Sequence, residues 1–295
     1  MNNSPTATRW YHRVGPGLIT ACVVIGPGSI MTSSTVGANE RYAMLWVVAV
    51  SVAFMLLFMS LGAKLGAVGD ASPGELIRRH AGWPLAWMLG LSVFFISSAY
   101  QSGNNIGVAA AFEAFVQSKW LVTGLLLLFN ALAIGFLYAF RDLYAMLERV
   151  MMVFVGLMLV SFAINLIILK PDVGAMAAGF IPSLGRSDDM LPLLGLNVGT
   201  TLVIAGAFYQ AYLVRQKGWK IADLKHGMID ARVGAIIMFL ITVMLMSTAA
   251  AGLYTGQPVK LADPVEVAES LEVTFGPTSK FIFVSACFPQ PTLRS

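Results

Sequence analysis

Residues 14–37 read VGPGLITACVVIGPGSIMTSSTVG, an apolar run long enough to cross a bilayer but interrupted at its middle by Gly26-Pro27-Gly28-Ser29. Proline lacks a backbone N–H and its ring clashes with the preceding turn, while the flanking glycines add freedom, so the helix is predicted to unwind there. An unwound segment exposes N–H and C=O groups that hydrocarbon cannot satisfy. It is tolerated at membrane depth where it is buried in protein or lines a wet cavity, which makes the break a candidate site for an ion or solute.

The rest of the chain has the composition such a segment needs around it. Of 295 residues, 57% are hydrophobic and only 12% charged, against about 25% charged in a soluble domain; mean hydropathy is +0.76. Apolar runs of about 20 residues mark membrane helices, and they fall near 15–37, 42–66, 83–112, 120–140, 146–169, 190–214 and 228–254, with the start of an eighth near 273–288. The expected fold class is therefore all-α, a polytopic helix bundle in the lipid bilayer. A second span follows the first at once, which argues against a cleaved signal peptide. Lys and Arg near span ends divide twelve to six in favour of the side holding the N-terminus, which predicts a cytoplasmic N-terminus in a plasma or inner membrane. That asymmetry accounts for the net charge of +4 without a nucleic-acid partner. Cys22 and Cys287 sit in apolar surroundings without metal-site spacing and read as packing residues.

Two polar, turn-rich segments punctuate the pattern. In Gly69–Glu75, Ser72 and Glu75 have capping-box spacing and predict a short surface helix running on to His80. The second, 171–190, divides the chain into a first five-helix repeat over 1–170, an extracellular connector, and a second repeat over 191–295 that is expected to be incomplete. The sixth span carries glycines and polar residues at its centre, in Asn197-Val-Gly-Thr-Thr201 and Ala205-Gly206. Paired interruptions five spans apart are what an inverted repeat produces. In the third span, Ser97, Gln101, Asn104 and Asn105 share one helix face. Two readings stay open for them: interhelical hydrogen bonding, at about 0.6 kcal/mol per bond, or the lining of a cavity. Gly103 and Gly107 have the spacing of a close helix contact, and Gly62 and Gly66 need nothing beyond packing.

Several stretches together resemble the natural resistance-associated macrophage protein (Nramp) family of divalent metal transporters. They are Gly15-Pro16-Gly17, Pro27-Gly28, Gly37 to Trp46, Lys64-Leu-Gly66, Phe140-Arg141, Pro171-Asp172-Val-Gly174 and Ile229-Asp230, in order and at matching spacing. The resemblance implies a LeuT-like fold, with the first and sixth spans unwound around a central ion site and alternating access between two helix groups. It also locates the departures. Where the family has Asp-Pro-Gly-Asn at the first break, this chain has Gly26 and Ser29 in place of both side-chain ligands. The family's sixth-span methionine ligand falls on Val203, its carbonyl ligand on Thr200 and a nearby histidine on Ala205. Acidic residues that relatives use for proton movement fall on Gln101 and Asn104.

These departures carry chemistry. Without a thioether at Val203, the preference for softer transition metals is lost. Ser29 and Thr200 remain as oxygen ligands, both neutral and hard. Such a set suits a partly hydrated divalent ion such as Mg²⁺, which dehydrates reluctantly, better than stripped Mn²⁺ or Fe²⁺. Membrane proton relays are built from Asp, Glu or His inside spans. The central parts of spans one, three and six hold none, and His12, His80 and His226 lie in flanking loops. The expected function is an Nramp-type membrane transporter of a metal cation, not coupled to protons, with Gly26, Pro27, Gly28, Ser29, Thr200, Val203, Gln101 and Asn104 at the site. No cofactor is expected beyond the transported ion. An enzyme is disfavoured because no nucleophile and base fall in register within the spans. The alternative is a non-transporting membrane protein or a truncated, inactive fragment, since Pro289-Gln-Pro cuts the eighth run short.

Overall fold

The computed structural model describes residues 15–113, 116, 118–139, 143–183 and 198–256. The eighth apolar run, Cys287, His12, Phe140-Arg141 and the stretch 184–197 lie outside these residues. The opening stretch forms two helices, α1 (Pro16–Val24) and α2 (Pro27–Glu40), bent by 59° at the break. Both start in the same way, on a glycine followed by proline within the first turn. Proline suits that position because the N–H it lacks would have no intrahelical acceptor. The predicted interruption is therefore a helix end followed directly by a new helix start.

The remaining elements follow the apolar pattern. They are α3 (Leu45–Val68), α4 (Pro73–Ala81), α5 (Trp83–Glu113), α6 (Lys119–Ala139), α7 (Leu143–Leu169) and α8 (Val173–Ala178). A helical turn over 198–201 is then followed by α9 (Ile204–Gln216), a 3₁₀ turn (Ile221–Asp223) and α10 (Leu224–Gly252). Segments 45–68, 83–109, 150–169 and 221–252 are each long and apolar enough to cross a membrane, and the bent α1–α2 pair makes a fifth such span. At 1.5 Å per residue, the 24 residues of α3 extend about 36 Å, enough for a hydrocarbon core of about 30 Å.

Helix α10 sits at the centre, packed against α1, α2, α3 and α7. One core cluster joins Leu18 and Val24 of α1, Ile30 of α2, Met55 and Met59 of α3, Met158 and Phe162 of α7, and Met238 and Ile241 of α10. Cys22 is buried there with its thiol 4.0 Å from the Met151 carbonyl oxygen, in keeping with a packing role. Gly62 and Gly66 let α3 lie directly on α9: a Cβ at either would collide with the carbonyl oxygen of Ala207 or Ala211. Gly103 has no such neighbour, since a Cβ there meets nothing within 4 Å among the described residues.

The two polar segments become caps. Ser72 accepts the Glu75 N–H at 3.3 Å and starts α4. The reciprocal half of the expected capping box is replaced, because the Glu75 carboxylate is taken by Arg78 at 2.7 Å and Arg79 at 3.0 Å. Asp172 caps α8 through the Ala175 N–H at 3.0 Å. The residues after α8 dock on the turn between α2 and α3, where Trp46 N–H donates to the Gly179 carbonyl at 3.0 Å and the Trp46 indole to the Ser183 carbonyl at 3.3 Å.

Candidate ion site at two helix breaks

At the first break, α1 stops at Val24. Gly26 adopts an extended conformation (φ −115°, ψ 179°) that any residue can reach, so nothing in the backbone demands glycine there. Helix α2 resumes with Ile30 N–H donating to the Gly26 carbonyl at 3.0 Å. The Val24 carbonyl, freed from the helical ladder, accepts from Ser29 Oγ at 2.7 Å. Ser29, only 8% exposed, therefore closes the break with its own hydroxyl, and its oxygen lone pairs stay available to a ligand.

The second break lies opposite. The turn over 198–201 ends with Leu202 N–H donating to the Val198 carbonyl at 2.7 Å, and residues 202 and 203 leave helical geometry before α9 begins. The Thr200 carbonyl lies 3.3 Å from Ser29 Oγ, so the two breaks touch through these residues. Tyr100 of α5 completes the junction, its hydroxyl 3.2 Å from the Gly199 carbonyl and 3.4 Å from that of Thr200. Carbonyls released by both breaks thus meet two side-chain hydroxyls. A Cβ at Gly28 or Gly199 would meet no described atom within 4 Å.

Of the other residues expected at the site, Val203 is buried in the core cluster that also holds Val24, Ile25 and Ile30. The space beside Gly206 is occupied by Met55. Gln101 hydrogen-bonds Asn105 at 3.2 Å and Asn130 of α6 at 3.4 Å, and Asn130 also donates to Asn105 at 3.3 Å. The polar stripe of α5 is consequently divided: Gln101 and Asn105 hold α6, whereas Asn104 shares its helix face with Tyr100, one turn earlier.

Two further groups fix α1. Asp230 of α10, fully buried, accepts the N–H groups of Gly15 at 2.7 Å and Gly17 at 2.5 Å. A carboxylate at a helix start satisfies free N–H groups and complements the helix dipole. Gly17 and Gly234 permit this approach, since a Cβ at either would collide with the other helix's backbone. Thr20 Oγ1 lies 2.8 Å from the Pro16 carbonyl and 2.6 Å from Gln210 Oε1 of α9. One hydroxyl proton cannot serve two acceptors. Turning the Gln210 amide over lets its buried Nε2, otherwise without a partner among the described residues, donate to Thr20 while Thr20 donates to Pro16.

Ser29, Thr200 and Tyr100 offer neutral oxygen only. Among the described residues, no group of three or more His, Cys, Asp or Glu side chains is placed to hold a metal ion. Tyr100 and Asp230 gave no warning of these roles, because each acts on a segment far away in the chain.

Comparison with known proteins agrees with this helical fold. Residues 17–289 match the profile of the natural resistance-associated macrophage protein-like family. A divalent metal cation transporter MntH of Chromohalobacter salexigens is 25% identical over 263 residues, covering 85% of this chain and 59% of the relative. The MntH of Deinococcus radiodurans is 23% identical over 92% of this chain and 63% of its own length. The chain thus spans about 60% of these relatives. Crystal structures of the Eremococcus coleocola manganese transporter superpose with TM-scores of 0.74 for a complex with an aromatic bis-isothiourea substituted compound and 0.77 for a mutant. The identity is 18%, over 97% and 96% of this chain and 64% of the solved one.

Proposed function

The chain belongs to the natural resistance-associated macrophage protein-like family, and from that premise we propose that it carries a divalent metal ion, Mg²⁺ in preference to Mn²⁺ or Fe²⁺, across the membrane in which it is embedded. This family is represented among its named relatives by transporters, in agreement with a protein that is not an enzyme. In this reading the ion passes between the two helix breaks. The observation that carries it is the Ser29 hydroxyl, 2.7 Å from the Val24 carbonyl and 3.3 Å from that of Thr200.

The donor chemistry supports the choice of ion. A carboxylate offsets part of the cost of stripping water from a divalent cation, and a thioether favours softer metals. Neutral hydroxyl and carbonyl oxygens do neither, so the ion best served keeps several of its waters. A Cβ at Gly28 or Gly199 would meet no described atom within 4 Å, which supports a site that leaves the ion some of its waters. Gln101 and Asn104, where relatives place acids, cannot relay protons, and transport is accordingly uncoupled from a proton gradient. We read residues 1–170 as one five-helix repeat, 171–190 as an extracellular connector and 191 onward as the start of a second repeat, with the N-terminus cytoplasmic in a plasma or inner membrane.

The test is Mg²⁺ uptake by proteoliposomes containing the full chain. Ser29→Ala removes an oxygen from the path and a hydrogen bond worth about 1 kcal/mol, so uptake should fall roughly fivefold or more. Cys22→Ala, a change in the packed core, should leave uptake near the starting rate. Equal effects of the two substitutions, or no uptake by the unaltered chain, would contradict the proposal.

A further inference from the structure

Helix α6 packs on α5, and between these two helices three amides meet. Gln101 Nε2 donates to Asn105 Oδ1 at 3.2 Å and to Asn130 Oδ1 at 3.4 Å, while Asn130 Nδ2 donates to Asn105 Oδ1 at 3.3 Å. Phe112 of α5 and Phe129 of α6 add an edge-on ring contact, with centroids 6.5 Å apart. Tyr100 directly precedes Gln101, so its side chain leaves α5 about 100° further round the helix. Its hydroxyl there meets the Gly199 and Thr200 carbonyls of the second break. Adjacent residues of α5 thus hold α6 on one side and the second break on the other.

The remaining side chains of α5 do little to set its rotation at this level. Leu91, Phe94, Phe95, Ile96 and Ile106 are all exposed, and lipid tails accept one apolar side chain as readily as another. Turning the helix costs those residues almost nothing. An amide turned out to hydrocarbon, by contrast, gives up partners that lipid cannot replace. Gly107 and Val108, two turns beyond Tyr100, are buried and fix the far end of the helix. At the level of the breaks, the amides decide which way Tyr100 faces.

We propose that Gln101, Asn105 and Asn130 act together as a rotational lock on α5 that holds the Tyr100 hydroxyl against the second break, which makes Asn130 of α6 a positioning residue for the ion site. This rests on reading the two breaks as the path of the ion. Asn130 touches neither break in this account and acts only through α5. Asn130→Leu isolates the lock. It removes the tie to α6 but leaves Gln101 and Asn105 bonded to each other within α5, so the helix keeps its own amides satisfied.

The experiment is hydrogen exchange of the backbone over residues 198–206, read by mass spectrometry on the full chain in nanodiscs, together with Mg²⁺ uptake by proteoliposomes. An interhelical hydrogen bond in a membrane is worth roughly a threefold change in an equilibrium. Tyr100→Phe should therefore speed exchange at the second break about threefold, Asn130→Leu should do the same, and the two together should still give about threefold, because both act through one hydroxyl. Asn130→Gln, which keeps an amide facing α5, should bring exchange back towards the starting rate. Ser102→Ala, whose hydroxyl donates within α5 to the Ser98 carbonyl at 3.0 Å, should leave it unchanged. In uptake, Asn130→Leu should raise KM about threefold at an unchanged maximal rate, whereas loss of folded protein lowers the maximal rate at unchanged KM. Unchanged exchange in Asn130→Leu, a fall in maximal rate alone, or the roughly ninefold product that independent effects give in the double variant would overturn the lock. Absence of Mg²⁺ uptake by the unaltered chain would overturn the choice of ion instead, and exchange, which needs no ion, then decides the lock by itself.

Discussion

At the scale of single residues, ion selectivity turns on what stands at two positions of the first break. Gly26 has dihedral angles open to any residue, and Ser29 already points its hydroxyl across the break toward Val24 and Thr200. The resemblance implies Asp and Asn ligands at these two positions, and this chain carries Gly26 and Ser29 there instead. Replacing Gly26→Asp together with Ser29→Asn should raise Mn²⁺ affinity by tenfold or more, measured by calorimetry on the purified protein, because a carboxylate offsets ion desolvation. Unchanged Mn²⁺ affinity would mean that the break is not where the ion binds. The break itself was legible in the sequence, since Gly-Pro-Gly within an apolar run has few other meanings. Tyr100 was not. A tyrosine among apolar residues gives no periodic or charge signal, and its partners, the carbonyls of Gly199 and Thr200, lie about a hundred residues away. Gln101 was legible as polar but not in its direction, because only the position of Asn130 on α6 decides which way it faces.

At the scale of elements, helix ends govern the structure more than helix middles. The two Gly-Pro starts of α1 and α2 leave N–H groups that need acceptors, and Asp230 of α10 provides one for α1. Asp230→Asn puts an amide NH₂ where an acceptor is required. It should cost about 2 kcal/mol, the scale of a lost charged hydrogen bond, and lower the thermal unfolding midpoint in detergent; an unchanged midpoint would show that the contact contributes nothing to stability. The sequence identified Ile229-Asp230 as a family feature but could not connect it to Gly15 and Gly17, more than two hundred residues earlier. Helix α4 was predictable because its cap, Ser72, and its acid, Glu75, lie next to it. Hydrogen bonds from Arg78 first, then Arg79, lower the Glu75 pKa from 4.5 to about 2. A folded-state pKa below the unfolded one gives stabilisation that is complete above the unfolded value and is lost as pH falls through the folded value. The α4 contacts should therefore survive at pH 4 and fail towards pH 2, as followed by a carboxyl carbon NMR titration of Glu75. A midpoint near 4.5 would mean that the two arginines do not hold it.

At the scale of the whole molecule, composition and spacing settled the class: five of the apolar runs became a helix, or a bent pair of helices, of membrane length, and α10, whose glycines and small residues face several neighbours, became the centre. Interruption of the sixth span was legible from Asn197 to Gly206, although its position, after the turn over 198–201, depended on contacts with α2 and α5. The central claim is that this family architecture is kept while its selectivity has moved from transition metals towards a hydrated ion. The most direct test is competitive uptake by proteoliposomes given Mg²⁺ and Mn²⁺ at equal concentration, with and without an imposed pH gradient. The account predicts saturable Mg²⁺ uptake, little Mn²⁺ uptake and the same rates in either pH condition; saturable Mn²⁺ uptake that grows with the proton gradient would contradict it.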